Sequence, residues 1–287
     1  MPPERPKPQT FEVVVTEVVQ ETPDTVTLVM AAEKMPSYRA GQFLSIDPRA
    51  FRILAGQVAY LEHLKGRKEL VRAYSMASAP HEPLAITIKE ELYRPGDLHF
   101  PLLSPVLVYA CPPGTRFPVV GFTGPYTLPP DVEQRTGHIV HLVAGSGVVP
   151  NFSILKDSLR NHPKLRHTFI DTNKTWSDVI FQSTLARLAS EFPDRLRVVH
   201  TLTRQEDLSG LPPGVRKGRV SRELLEELIA DRDTAIAYVC GPAIANWDRK
   251  KALEAGTQPT PRFLESTLGN LQAVGFTPAR LRREAYG

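Results

Sequence analysis

Three short segments carry residue types that could do chemistry together. The first is Arg72-Ala73-Tyr74-Ser75, inside the run VRAYSMAS. On a strand, alternate side chains share a face, so Arg72 and Tyr74 point the same way. A guanidinium can take a phosphate bidentately, and a tyrosine ring beside it can lie against a flat aromatic group. The second is Val143-Ala144-Gly145-Ser146-Gly147-Val148-Val149-Pro150. Its glycines allow a tight turn and a close backbone approach, and a following helix presents amide groups and a positive dipole end to phosphate. The third is Cys240-Gly241-Pro242, at the end of an apolar run. Taken singly, each segment also fits an ordinary strand, a glycine turn or a buried cysteine.

The surrounding sequence supplies elements that would position them. Residues 11–20, 25–32, 42–46, 70–75, 84–89 and 116–120 read as strands, the first two joined by the turn Thr22-Pro23-Asp24. Such a series of short strands suggests a small antiparallel barrel. Residues 50–69 are too long for a hairpin loop and predict a short helix, with no function attached. From Gly137 onward the texture changes. Strands over 138–143, 167–170, 196–201 and 235–240 alternate with helices over 151–160, 177–190 and 221–230. That alternation predicts a parallel sheet with helices on both faces. The expected organisation is a six-stranded antiparallel β-barrel over 1–130 and an α/β parallel-sheet nucleotide-binding domain over 131–287, with Pro129-Pro130-Asp131 at the boundary. In an open α/β sheet, ligands bind beyond the carboxyl ends of strands, where both the GSG turn and Cys240-Gly241-Pro242 lie.

Composition narrows the classes. The 287 residues carry a net charge of +4 with lysine and arginine scattered, a weak case for nucleic acid. The two cysteines, Cys111 and Cys240, lie far apart and outside any CxxC pattern, which argues against an iron–sulfur cluster held by this sequence. No run of about 18 apolar residues predicts a membrane span, and the polar, proline-rich start lacks a signal-peptide core, so a cytoplasmic location is expected. His138 and His141 lie three apart on a strand and face opposite sides, and no metal site is expected. HExxH, P-loop and GxSxG patterns are absent, and Trp176 and Trp247 read as packing or surface residues.

In order and spacing, RxYS, G[ST]GxxP and CGP resemble the ferredoxin–NADP reductase superfamily. Tyr38-Arg39-Ala40-Gly41-Gln42-Phe43, the stretch 122–128 and the segment Glu284-Ala285-Tyr286-Gly287 are similar to further features of that family. The resemblance implies a flavin, FAD rather than FMN, and NADPH or NADH as hydride source. It implies that Arg72 holds the flavin phosphate, Tyr74 packs on one flavin face and Ser75 lies near the flavin N5, with Ala73, Thr87, Ile88 and Lys89 in the same site. Tyr286 would cover the other face. Cys240 and Glu284 would flank the nicotinamide. Gly145, Ser146, Gly147, Val148 and Pro150, with Gly241 and Pro242, would receive the dinucleotide. Two departures stand out: Leu102-Leu103-Ser104-Pro105 takes the place of a glycine-rich stretch, with Ser104 expected to cap a helix that holds pyrophosphate, and residues 246–261 are longer than usual. Asn173 and Lys174, with Thr203 and Arg204, suit a 2′-phosphate and favour NADPH. The implied activity is hydride transfer from NAD(P)H to FAD and electron delivery to a separate ferredoxin, flavodoxin or oxygenase component. The alternative is a non-catalytic flavin-binding electron-transfer subunit of a larger redox complex.

Overall fold

The computed structural model describes residues 8–93 and 100–286. The proline-rich start up to residue 7 and Gly287 of the Glu284–Gly287 segment lie outside the described residues. The chain divides into two compact units, Met1–Thr127 and Leu128–Gly287.

The first unit is built on six antiparallel strands: β1 (Gln9–Thr22), β2 (Thr25–Ala31), β3 (Phe43–Ile46), β4 (Arg72–Ser75), β5 (Leu84–Lys89) and β6 (Arg116–Thr123), in sheet order β4-β3-β6-β1-β2-β5. Helices α1 (Ala55–Lys65) and α2 (Ser104–Tyr109) are attached to it. The β1–β2 turn is fixed by Asp24, whose carboxylate accepts from the Thr22 hydroxyl at 2.8 Å and the Thr25 hydroxyl at 3.0 Å. The inward positions of alternate residues, among them Leu28, Leu44, Ile46, Ile86 and Phe117, are almost wholly buried. Each such side chain contributes about 1.5–3 kcal/mol by leaving water.

The second unit holds α3 (Val132–Arg135), β7 (His138–Ala144), α4 (Val148–Asn161), β8 (Arg166–Asn173), α5 (Gln182–Glu191), β9 (Leu196–Leu202), β10 (Arg216–Lys217), α6 (Arg222–Leu228), β11 (Ile236–Pro242), α7 (Asn246–Glu254), α8 (Phe263–Ala273) and β12 (Leu281–Tyr286). Its strands are parallel, in order β10-β9-β8-β7-β11-β12. One face of the sheet buries Val140, Leu142, Ile170, Ala237 and Val239 against Leu225, Leu264 and Leu271 from α6 and α8. Every residue of β7 is buried, as the unbroken apolar run requires.

Several boundaries move from the sequence expectation. Cys240-Gly241-Pro242 lies inside β11 rather than after it, because β12 continues the sheet beside it. Strand β8 runs on through Asp171, Thr172 and Asn173, polar residues that read as loop but are buried in the sheet. The helix after the GSG turn begins at Val148, not residue 151. The stretch 177–190 opens with a 3-10 turn over Trp176–Asp178 before α5 starts.

Candidate functional site

In the first unit, β3 and β4 pair antiparallel, with Ile46 opposite Arg72, Leu44 opposite Tyr74 and Phe43 opposite Ser75. The turn entering β3 is closed by the Gln42 amide donating to the Arg39 carbonyl at 3.1 Å, with Gly41 at φ +89° as the left-handed residue that permits it. Arg72 and Tyr74 are both half-buried and Ser75 is buried, while Ala73 is exposed on the other side of the strand. Tyr74 packs against the barrel core, and that burial, with the Glu91 charge adding and Arg72 opposing, pushes its phenol well above the usual range. It stays protonated and apolar enough to cover a ring face. Arg72 donates from Nη1 to the Leu70 carbonyl at 2.6 Å and from Nη2 to Glu69 at 3.0 Å. Among the described residues its Nε–H and one hydrogen on each terminal nitrogen remain for an anion.

The neighbouring side chains are held within the first unit, and one expectation, the Ser104 cap, is not met. Thr87 is buried with its hydroxyl 2.8 Å from that of Thr27, Ile88 lies in the core, and Lys89 is ion-paired with Asp24 at 2.8 Å. All three side chains are engaged by the barrel itself. Ser104 does not cap α2: Leu103 occupies the cap position without a side-chain bond, and Ser104 is the first helical residue. Its buried hydroxyl accepts instead from the Glu91 amide at 3.1 Å, which pins the chain after β5. Helix α2 has six residues, too short for a strong dipole.

In the second unit, Gly145 adopts φ +54°, a conformation that disfavours any side chain, and space beyond its Cα is open. A Cβ on Gly147 would lie 2.4 Å from the Cys240 carbonyl oxygen and 2.8 Å from the Gly241 Cα. The two glycine motifs therefore touch backbone to backbone, as neither could with a larger residue at Gly147. Gly241 is tight as well, since a Cβ there would meet the Phe263 ring at 2.6 Å. No side chain caps the start of α4, where Ser146 is half-exposed and Val148 and Pro150 are buried.

Strand β12 sets Glu284 opposite Cys240, Ala285 opposite Gly241 and Tyr286 opposite Pro242, and the Ala243 amide donates to the Tyr286 carbonyl at 3.3 Å. Cys240 is fully buried; burial first and the Glu284 charge second push its thiol well above the ordinary value. It is a neutral thiol at physiological pH. The polar loops after β8 and β9 are tied together: the Thr203 amide and hydroxyl donate to the Asn173 carbonyl at 3.0 and 3.2 Å, and the Arg204 amide donates to the Lys174 carbonyl at 2.8 Å. Lys174, Thr203 and Arg204 are exposed beside one another.

Sequence reasoning placed Asn173 in the dinucleotide site but missed its neighbours Asp171 and His200. Asp171, 1% exposed, and Asn173, 5% exposed, sit on β8 with side-chain oxygens and amide lacking a hydrogen-bond partner among the described residues. His200, opposite Asp171 on β9, brings Nδ1 to 3.3 Å from Asp171 Oδ2 and meets the Trp176 ring edge-on at 5.1 Å. The signal was present as three polar residues ending an apolar strand, at the carboxyl edge where ligands bind. Among the described residues no cluster of histidine, cysteine, aspartate or glutamate could hold a metal, and no helix is long and apolar enough to cross a membrane.

Residues 142–247 match the model of the oxidoreductase NAD-binding domain. The ferredoxin reductase component of a 3-ketosteroid-9-alpha-monooxygenase from Mycolicibacterium smegmatis is 31% identical over 276 residues, covering 93% of this chain and 67% of that protein. The chain belongs to the ferredoxin–NADP reductase superfamily. It is accordingly an NAD(P)H-dependent flavoprotein oxidoreductase, using a flavin and a pyridine nucleotide for electron transfer. The fold is likewise that of a cytochrome P450 reductase from Amycolatopsis, at a TM-score of 0.71 and 20% identity, covering 98% of this chain and 71% of the other. A Plasmodium falciparum ferredoxin-NADP+ reductase mutant superimposes at 0.68 and 13% identity, with 96% of each chain covered.

Proposed function

We propose that this reductase takes hydride from NADPH in preference to NADH, holds FAD, and delivers electrons to a separate acceptor protein of the oxygenase-component or ferredoxin kind. The observation that carries the reading is the convergence in the second unit, where the Gly145–Gly147 turn abuts Cys240-Gly241 and β12 sets Glu284 beside Cys240. The relative from Mycolicibacterium smegmatis is named as the ferredoxin reductase component of a monooxygenase, which supports a ferredoxin or oxygenase component as acceptor.

The donor set of β4 fits a flavin. Arg72 offers a free N–H edge to a phosphate, Tyr74 an apolar ring to a flat tricycle, and Ser75 a hydroxyl at the strand end. The bound flavin supplies the chemistry of accepting a pair of electrons and passing them on singly. The chain's own part is binding, orientation and exclusion of water. Gly145, Ser146 and Gly147 expose backbone amides to the dinucleotide phosphates. Cys240, kept protonated, walls the nicotinamide side without acting as a nucleophile, and Glu284 supplies a carboxylate next to it. Tyr286, at the end of β12, is suited to cover a flavin face. Lys174 and Arg204 provide exposed positive charge for a 2′-phosphate, and the Asn173 amide offers bonds to the adjoining ribose.

The test is spectral. Purified protein should show flavin absorbance, bleach under anaerobic NADPH and retain FAD against FMN. Replacing Arg204 with Ala should lower kcat/KM for NADPH by about 10-fold or more, the loss of one charge-assisted phosphate contact, and leave NADH nearly unchanged. A colourless protein that binds no added flavin, or a parent that prefers NADH, would contradict the reading.

A further inference from the structure

The connection between β3 and β4 runs over residues 47–71, where paired antiparallel strands are usually joined by a few residues. Its helix α1 ends on Gly66, at φ +61°, and its exit lies alongside the start of β4. Three charged groups meet there. Glu69 is 4% exposed, its Oε1 takes a hydrogen bond from Lys65 Nζ, and its Oε2 accepts from Arg72 Nη2 at 3.0 Å. The Glu69 amide is held in turn by Glu62 Oε1 at 3.0 Å. Burial raises the Glu69 carboxyl, but the bonds from Lys65 and Arg72 outweigh it and hold the group ionised.

A buried carboxylate survives only when its charge and lone pairs are matched, and here both oxygens are. Glu69 thus sits between two cations, Lys65 and Arg72, one on each carboxylate oxygen. Of the Glu69–Arg72 pair, Arg72 is the partner that reaches solvent: its side chain is 38% exposed while that of Glu69 is 2% exposed. An unrestrained arginine must lose the freedom of a long side chain before it can grip a phosphate. An arginine already held by a buried carboxylate on one nitrogen and the Leu70 carbonyl on another has lost it beforehand.

We propose that Glu69 is a positioning residue for the flavin phosphate: delivered by the 47–71 segment, it locks the Arg72 guanidinium with its free N–H edge outward, while Lys65 matches its other carboxylate oxygen. This rests on the flavin reading above. Glu69 touches no ligand itself; it acts through Arg72.

The experiment separates phosphate from ring. The whole chain is titrated by fluorescence with FMN, which has the phosphate, and with riboflavin, which lacks it. In Glu69→Ala, FMN binding should weaken by about tenfold while riboflavin binding stays within twofold, a split that a general loosening of the fold would not give. In an Arg72→Ala background the same substitution should cost FMN binding nothing further, since the coupling runs through that side chain. Glu69→Gln, close in volume and able to accept one bond, is the second variant should Glu69→Ala fold poorly, and should give a smaller FMN-specific loss. Equal losses for both flavins, additive losses in the double variant, or tighter FMN binding on removal of the carboxylate would overturn the proposal. A parent chain that binds neither flavin would overturn the flavin reading along with it. A parent that binds FMN, with Glu69→Ala unchanged, would overturn this proposal alone.

Discussion

The two units prepare for their ligands by different means. In the barrel the groups suited to a ligand are side chains, both stationed on one short strand: Arg72 with its outward N–H edge, braced from behind by Glu69, and Tyr74 with its ring. In the α/β unit the comparable work falls to the backbone. Gly145, Gly147 and Gly241 matter for the side chains they lack, and Gly147 lies so close to Cys240 that no Cβ fits. Their cores differ in the same sense. The barrel buries threonines and serines but no histidine among the described residues, whereas the sheet of the second unit buries His138, His141 and His167. His141 Nδ1 is 2.8 Å from Asn151 Oδ1, its Nε2 is 3.1 Å from His167 Nδ1, and His167 Nε2 is 3.1 Å from Ser158 Oγ. A site made of side chains can be weakened by degrees. A site made of backbone contact fails when the contact is forced apart.

The largest effect should come from Gly147→Val. With the Cβ position 2.4 Å from a carbonyl oxygen, either β11 or the GSG turn must move. A loss above about 4 kcal/mol is expected, with nucleotide binding abolished and flavin binding retained if the barrel stays folded. Urea unfolding and nucleotide titration check it, and near-parent nucleotide affinity would break the contrast.

Acid should act next, and on the second unit. Burial lowers His141 to about 4 from 6.5, and burial with the His141 and Arg195 charges holds His167 well below its ordinary value too. Because the folded value is depressed, the stabilisation by neutral imidazole is complete above pH 6.5 and is lost as pH falls toward 4. For His141 alone this amounts to about 3 kcal/mol at the acid end. Both tryptophans, Trp176 and Trp247, lie in the second unit, so tryptophan fluorescence follows that unit specifically. A urea midpoint that stays flat between pH 6.5 and 4.5 would remove the distinction drawn between the cores.

The smallest effect is expected for Gly241→Ala. Its clash is with the Phe263 ring at 2.6 Å, a side chain that can turn aside, so a cost of about 1–2 kcal/mol should appear as a lower melting temperature with measurable turnover remaining. A loss as severe as that of Gly147→Val would show that side chains, too, are rigid here.

The strands of both sheets were legible because alternation in the barrel and unbroken apolar runs in the α/β unit follow directly from one-sided and two-sided burial. What escaped had weaker physics behind it. Strand β12, with sequence LRREAY, is an edge strand paired only to β11, so it need not be apolar and reads as a polar tail. Ser104 followed by Pro105 looked like a helix cap, yet tertiary pairing with Glu91 decided the role of its hydroxyl. Glu69 belonged to no motif; its meaning lies in contact with Lys65 and Arg72, which fourfold and threefold spacing alone does not announce. Asp171 and His200 were hidden by being polar where a strand was expected to end.

The two thiols bear on how long such a protein can work in air. Cys111 is buried and pushed up to about 11, and burial raises Cys240 well above the ordinary thiol value as well. At pH 7 only about one Cys111 in ten thousand is thiolate, the form that peroxide attacks. Both sulfurs are free of disulfides and enclosed by the core. Both cysteines are thus poor targets for added peroxide, and among the described residues oxidation should be recorded first at the exposed Met35.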